Sequence, residues 1–413
     1  MKVLVVGLGK SGLAACRILL RRGDFVVATD SSPTPESLAA LEEMKVPFSR
    51  EFADADLTVI SPGVPPDLPE LAGRNVIGEL ELAFPYIHGP ILGITGSNGK
   101  TTTTALTGHI LQNCGIACQV GGNIGIAPAA MIETSRVDQW NVMELSSFQL
   151  ETTKTFRPKI GVCLNVTPNH LDRHYSLENY AAAKSRMFVH QTNAEFKVLN
   201  AQDPICRSFA PVGQGATHWF NVPKTASGSG SYETKLPGAH NQENIDAAFV
   251  ACSLAGAQAD AILAAIRTFP GVEHRLEFVR ELRGIRFYND SKATSVDATL
   301  KAIAALSGPL WIILGGKDKG SDYRPLIAPL ENRARGVMLI GAAAEKIASH
   351  IGTALPLIQC GTLDVAIRDA FVKAQPGDTI LLSPACASFD QFKSFEHRGE
   401  TFKQIVLGLE KSN

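Results

Sequence analysis

From Lys2 onward, short apolar runs alternate with stretches in which apolar residues recur every three or four positions. KVLVV precedes SGLAACRILLRR, FVVATD follows, and LTVIS leads into the turn SPGVPP. A short apolar run between turn signals predicts a buried strand, and a period near 3.6 predicts an amphipathic helix. A second cycle begins at Gly89, where PILGIT runs into GSNGKTTTTALTGHILQNCG, with further strands predicted at QWNVME, KIGVCLNV and FKVLN. The Gly/Ser-rich stretch TASGSGSYETKLPG, residues 225–238, predicts a surface loop ahead of a helix starting near His240. A third cycle opens near Val272, with strands at IRFYN, LWIIL, VMLI and TILLS separated by helical segments. Such alternation predicts parallel sheets flanked by helices. The pattern divides into three consecutive α/β domains, 1–88, 89–271 and 272–413. No fixed-period repeat occurs, which excludes a solenoid or propeller.

Composition narrows the partners. At 45% hydrophobic and 19% charged residues, each domain has enough apolar material for a core. Thirty-nine basic residues against 40 acidic ones give a net charge of -1, with no global field to gather nucleic acid or an anionic membrane. Small-molecule partners are expected. The start, MKVLVVGLGKSG, is broken by Gly7 and Gly9, so it reads as a strand entering a turn and not as a signal peptide. No apolar run is long enough to span a bilayer. The eight cysteines are scattered, and Cys114 and Cys118 lack a second pair at zinc spacing, so reduced thiols of a cytosolic protein are expected. Cys386 has no local His partner and reads as a packing residue.

The chemistry concentrates in strand-end loops. Thr95-Gly96-Ser97-Asn98-Gly99-Lys100-Thr101-Thr102 lies between the strand PILGI and a helix whose apolar face carries Leu106, Ile110 and Leu111. In such a phosphate-binding loop, glycines let backbone N–H groups close around phosphates, the lysine reaches the β/γ oxygens, and the threonine hydroxyl binds Mg²⁺. The strict pattern is not met, because Ile94 stands at its first glycine. Glu144, ending the strand NVMEL, supplies the carboxylate a magnesium nucleotide needs, unless it merely faces water. His170 and Asp172 follow the strand GVCLNV, and His170 is either a metal ligand or a structural imidazole. Lys184 shares a helix face with Tyr180, Met187 and Phe188, in a helix starting near the cap Ser176. Either its ammonium extends to water, or it is a desolvated amine of lowered pKa.

In the first domain, Gly7-Leu8-Gly9-Lys10-Ser11-Gly12 follows a strand and Asp30 ends the next. That is the fingerprint of a Rossmann-like nucleotide site, which does not distinguish NAD from a UDP-sugar. The central domain reads as P-loop ATPase-like and the third again as Rossmann-like. In the third, the polar loops Asn289-Asp290-Ser291-Lys292-Ala293-Thr294 and Gly315-Gly316-Lys317-Asp318-Lys319 follow successive strands. Ser388-Phe389-Asp390-Gln391 has capping-box spacing, so capping a helix would account for Ser388, and Phe389, Phe392 and Phe395 read as a core face.

Taken together, TGSNGKTTT, MELSSFQLE, NHLDRH with Lys184 behind it, PGAHNQEN, HRLE, NDSKAT, LGGKDKG and SPACASFDQFKSFEHRG resemble the Mur ligase family, in the family's order and over essentially the whole chain. NDSKAT and the last motif point to its D-glutamate-adding branch. The resemblance implies an ATP-dependent amide ligase of the cytoplasm, a monomer that joins D-glutamate to UDP-N-acetylmuramoyl-L-alanine through an acyl phosphate, with no nucleic acid or membrane partner. Gly96, Asn98, Gly99, Lys100, Thr101 and Thr102 would hold ATP, with Asn241 and Asn244 beside it, Arg275 on its phosphates and Asp290 on its ribose. Two Mg²⁺ ions are implied, with Thr101 and Glu144 on the first, Glu144 shared, and His170 on the second. Lys184 would carry CO₂ as a carbamate on the metal side, so that Lys100, Lys184, His170 and Arg275 form the catalytic group. Gly9, Ser11, Ser31, Ser61, Gly63 and Asn123 would line the path of the UDP substrate. Lys292, Thr294, Lys319, Ser388 and Phe395 would form the third-domain side of the site, the last four around the D-glutamate carboxylates. The third domain is expected to close over the reaction. In one respect the chain departs from the pattern: Ser31-Ser32 stands where some members place Thr-Arg, so an arginine contact to the nucleotide is missing there. Two alternatives stand beside this reading, a sibling ligase such as the folylpolyglutamate type and a nucleotide-binding regulator that uses NAD.

Overall fold

The central strands form where apolar runs are buried on both faces, and these positions carry the cores. The computed structural model describes residues 1–223, 232–234, 236 and 238–409, so most of the Gly/Ser-rich stretch 225–238 lies outside the described residues. The chain divides into two compact units, Met1–Glu233 with His240–Thr268, and Thr234–Ala239 with Phe269–Asn413.

The first unit holds two parallel sheets. In one, β1 (Lys2–Val6), β2 (Phe25–Thr29), β3 (Leu57–Ile60) and β4 (Val76–Gly78) lie in the order β2-β1-β3-β4. Val3, Leu4 and Val5 are fully buried, and the helix Lys10–Arg21 covers one face with Ala15, Cys16 and Leu19. That helix lies so close to the preceding turn that a Cβ on Gly12 would stand 1.8 Å from the Gly7 carbonyl oxygen, so only glycine fits. The other sheet contains β5 (Ile91–Thr95), β6 (Cys118–Gly122), β7 (Trp140–Glu144), β8 (Ile160–Cys163), β9 (Phe196–Asn200) and β10 (Ala216–Phe220), in the order β10-β9-β8-β5-β7-β6. Ile94, Val142 and Val162 are buried at its centre. The sheets are sutured through Glu81, whose carboxylate accepts the N–H groups of Lys154, Thr155 and Phe156 at 2.9, 2.8 and 3.1 Å.

The second unit holds β11 (Glu277–Leu282), β12 (Ile285–Asn289), β13 (Leu310–Gly315), β14 (Ala334–Ile340), β15 (Leu357–Gly361) and β16 (Thr379–Leu382), in the order β11-β12-β16-β13-β14-β15. All pairs are parallel except the hairpin β11–β12, whose two-residue turn, Arg283-Gly284, has positive φ at both positions. Three α/β sheets of four, six and six strands are the architecture expected from the alternating pattern.

Five strands, β4, β6, β10, β11 and β15, have no counterpart in the predicted runs, and each lies at a sheet edge. An edge strand is covered by fewer neighbours and keeps polar positions, which removes the apolar signal. At Ser388 the expectation of a helix cap is corrected. The helix runs Phe395–Gly408 and is capped by Ser394, while Ser388 lies buried in an irregular turn. Without a helix the three-residue spacing does not align the aromatics, and Phe389 is 67% exposed instead of forming a core face with Phe392 and Phe395. All eight cysteines are free thiols. Among the described residues no helix is long and apolar enough to cross a membrane.

Candidate active site

The loop joining β5 to the helix Lys100–Asn113 turns on two glycines with positive φ, Gly96 at 152° and Gly99 at 85°. The segment after β8 pins it: the Ser97 N–H donates to the Asn165 carbonyl at 2.9 Å, and the Asn98 N–H to the Asn165 Oδ1 at 2.8 Å. The N–H groups of the first helical turn, which contains Thr101 and Thr102, have no acceptor within the helix and make an anion site. Lys100 curls over the loop, its Nζ 2.8 Å from the Gly96 carbonyl oxygen and 3.2 Å from that of Ser97. Asn244 packs against the same turn, and its Nδ2 donates to Asn241 Oδ1 at 3.0 Å from one turn earlier in the helix Ala239–Leu254.

Glu144 is buried at the end of β7 and its oxygens are divided. Thr101 Oγ1 donates to Oε2 at 2.8 Å, and Asn123 Nδ2, just beyond β6, donates to Oε1 at 2.9 Å. Glu144 therefore points at the phosphate loop and does not face water.

Lys184 is 1% exposed, so its ammonium does not extend to water. Its Nζ donates to the Gly96 carbonyl at 2.9 Å, lies 3.4 Å from Thr95 Oγ1 and stands 4.4 Å above the Tyr180 ring centre. Burial, with the nearby charge of Lys100, brings the amine pKa down to about 7. His170 begins the short helix Leu171–His174 with a left-handed φ of 53°, and its ring meets Phe148 edge-on at 4.9 Å. Burial, then the charge of Lys100, lowers its pKa, which favours the neutral imidazole, the form whose ring nitrogen can bind a cation.

Gly9, Ser11, Ser31, Ser61, Gly63 and Asn123 all line one cleft of about 750 Å³. It lies at the carboxyl ends of the first sheet, where open α/β sheets take ligands. Asp30 shapes the rim: its oxygens accept the N–H groups of Leu8 at 2.6 Å and Ser32 at 2.8 Å.

In the second unit, Asp290 is buried beneath β12 and β16, accepting from Ser383 Oγ at 2.8 Å and the Leu276 N–H at 3.1 Å. Burial raises its pKa to about 7, against the pull of those hydrogen bonds and of the exposed Arg275. The NDSKAT loop lies beside two others. Lys292 Nζ is 5.8 Å from the Phe395 ring centre, Lys319 Nζ is 3.5 Å from Thr294 Oγ1, and Lys317 pairs with Ala387, next to Ser388. The buried Arg398 ties them, donating to the carbonyls of Ser291, Cys386 and Ala387.

Family descriptions match in the same order: Mur ligase MurD-like N-terminal domain over residues 1–78, Mur ligase middle domain over 94–222, and Mur ligase glutamate ligase domain over 274–386. A UDP-N-acetylmuramoylalanine–D-glutamate ligase of Solibacter usitatus is 55% identical, across 99% of this chain and 98% of that one. The chain belongs to the Mur ligase family. The ligase of the same description from Acidobacterium capsulatum is 49% identical, across 98% of this chain and 96% of that one. Among solved structures, this Mur ligase has the fold of the UDP-N-acetylmuramate-alanine ligase MurC from Thermotoga maritima, at a TM-score of 0.61 and 18% identity over 100% of both chains. It likewise resembles FolC of E. coli, solved with DHPP and ADP, at a TM-score of 0.59 and 15% identity over 81% of this chain and 92% of that one.

A metal must fit what this Mur ligase offers. Among the described residues no cluster of three or more His, Cys, Asp or Glu gathers. A hydroxyl and one buried carboxylate beside a phosphate site suit Mg²⁺, which takes few protein ligands and completes its shell with phosphate and water oxygens. Sequence reasoning missed Arg50 and Phe52, which also line the cleft, and Arg398. A pairing of Phe48 with Ala28 brings the first two there, and no local pattern signals it.

Proposed function

We propose that this Mur ligase joins D-glutamate to the L-alanine carboxylate of UDP-N-acetylmuramoyl-L-alanine, converting ATP to ADP and phosphate, in the cytoplasmic building of peptidoglycan precursors. The observation that carries the reading is the division of Glu144 between Thr101 of the phosphate loop and Asn123 of the nucleotide cleft. The carboxylate of a substrate held in that cleft would arrive where a γ-phosphate is held.

The substrate carboxylate oxygen attacks the γ-phosphorus in line, the bond to the β-phosphate oxygen breaks, and ADP leaves. Lys100, the first-turn N–H groups and Arg275 stabilise the charge on the transferred group. Bound Mg²⁺, held by Thr101 and Glu144 with a second ion at His170, would supply further charge neutralisation and alignment. The D-glutamate amine, having lost its proton, attacks the acyl carbon, and the tetrahedral intermediate expels phosphate to leave the amide. Thr294, Lys319, Ser388 and Phe395 orient D-glutamate, with Lys292 beside them on the third-domain side, while Asn241, Asn244 and Asp290 orient ATP. Lys184, with its amine pKa near 7, adds to CO₂ through its neutral nitrogen and loses a proton, becoming a carbamate anion on the metal side.

Phosphate release, measured with each component omitted in turn, tests the reading. Release should require the UDP substrate, ATP, Mg²⁺ and D-glutamate together. Release that continues without any amino acid would instead fit a nucleotide switch, and release driven by another amino acid would fit a sibling ligase.

A further inference from the structure

We propose that Arg50 reads the pyrimidine base of the nucleotide-linked substrate and sets the preference of the cleft for uracil. The inference rests on the proposed uridine nucleotide substrate.

Residues 47–49 extend the first sheet beyond β2. The Ala28 N–H donates to the Pro47 carbonyl and the Ser49 N–H to the Ala28 carbonyl, both at 2.9 Å, and Phe48 pairs with Ala28 in parallel. Two residues past that pair stand Asp30 on one strand and Arg50 on the other, so Arg50 leaves the sheet level with the turn Asp30–Ser31. The segment that carries it is fastened on both sides. Ser49 Oγ accepts from the Glu51 N–H at 3.1 Å and donates to the Glu51 carbonyl at 2.8 Å. Arg74 donates to the carbonyls of Ala53 at 2.8 Å and Phe52 at 3.1 Å, with its guanidinium 5.9 Å from the Phe52 ring centre.

Arg50 lines the cleft, yet makes no hydrogen bond or ion pair with any described residue. Asp30 cannot neutralise it cheaply, because both its oxygens already accept backbone N–H groups. Ser31 and Ser32 give this rim no cation of their own. The two ends of the cleft differ in chemistry. The glycine turn and the start of the helix Lys10–Arg21 form the pyrophosphate end, and the end of β2 forms the nucleoside end. Arg50 is at the nucleoside end. A guanidinium has only donors in a planar fork. Uracil offers it two ring carbonyls, whereas cytosine replaces one with an amino group that also donates. A contact to that position accepts uracil and rejects cytosine, because the wrong base leaves two donors facing each other.

UDP and CDP binding to the full chain, measured by calorimetry for wild type, Arg50→Ala and Arg50→Lys, tests this. Wild type should bind UDP at least about ten times more tightly than CDP. Arg50→Ala should lose about tenfold for UDP and little for CDP, and Arg50→Lys should fall between, having charge without the fork. In turnover, the KM for the UDP substrate should rise with kcat unchanged, since the base is equally bound in ground and transition states. UDP affinity in Arg50→Ala within twofold of wild type overturns the proposal, as does an equal loss for UDP and CDP, which is the mark of a phosphate contact. Failure of the wild type itself to bind UDP overturns the substrate reading instead.

Discussion

Asn123 and Thr101 hold opposite oxygens of one carboxylate, the first donating to Glu144 Oε1 at 2.9 Å and the second to Oε2 at 2.8 Å. The cleft of the first sheet and the glycine loop after β5 are thereby joined through a single side chain. Replacing Glu144 by Gln keeps its shape but removes its charge and leaves one oxygen where the carboxylate had two. We expect kcat to fall by about 10² to 10³, and Asn123→Ala to lower it by about tenfold. Because both act on one group, the double variant should lose less than the product of the two effects. Steady-state phosphate release measures all three, and a kcat within tenfold of wild type for Glu144→Gln would remove this carboxylate from the metal's ligands.

Lys184 carries a buried amine whose carbonyl acceptor, Gly96, also receives Lys100. Lys184→Met should therefore fold, abolish activity and raise the melting temperature. The sign follows from linkage. The folded pKa is near 7 and the unfolded one is higher, so the folded state binds fewer protons between them, and wild-type stability climbs with pH across that window. The gain from Met should be greatest below pH 7, on the order of 2 kcal/mol or more, and shrink as pH rises. Lys184→Ala should instead leave a cavity that short carboxylic acids partly refill with an anion. No recovery of phosphate release with any such acid, or with bicarbonate, would count against the carbamate.

Gly99 and Gly9 separate folding from ligand approach. Gly99 has a φ of 85°, and a Cβ there would stand 2.2 Å from Asn244 Oδ1, whereas a Cβ on Gly9 meets nothing within 4 Å. Gly99→Ala should destabilise by about 1 to 3 kcal/mol and weaken MgATP binding more than tenfold. Gly9→Ala should melt as wild type but raise the KM for the UDP substrate, because its methyl group occupies the space a pyrophosphate approaches. Melting curves and substrate titrations on both variants check this, and equal melting losses would refute the distinction.

Asp290 makes the second unit sensitive to pH. Its pKa is raised to about 7 by burial, so the folded state keeps a proton that the unfolded chain releases near pH 4. Between these values stability should fall as pH rises and then level off. Asp290→Asn should remove that slope, melting above wild type at pH 8 and near it at pH 4. Identical pH slopes for the two proteins would show that the carboxyl ionises freely.

Much of the molecule was legible in its sequence because the relevant physics is local. Eleven strands announced themselves as apolar runs, and the phosphate loop as glycines and a lysine between a strand and a helix. The six residues expected along the UDP substrate's path do line one cleft. Edge strands such as β10 and β15 gave no such signal, since a strand with one neighbour keeps polar side chains.

The linear pattern of apolar, glycine and charged positions determined the α/β class and the three sheets, and it marked the strand-end loops where nucleotide chemistry was expected. Tertiary structure alone decided that Lys184 is sealed from water, that Ser388 caps no helix and that Arg50 lines the same cleft as Asp30. Each of those outcomes depends on which distant segments close around a side chain, and desolvation by remote neighbours leaves no mark on the local order of residues.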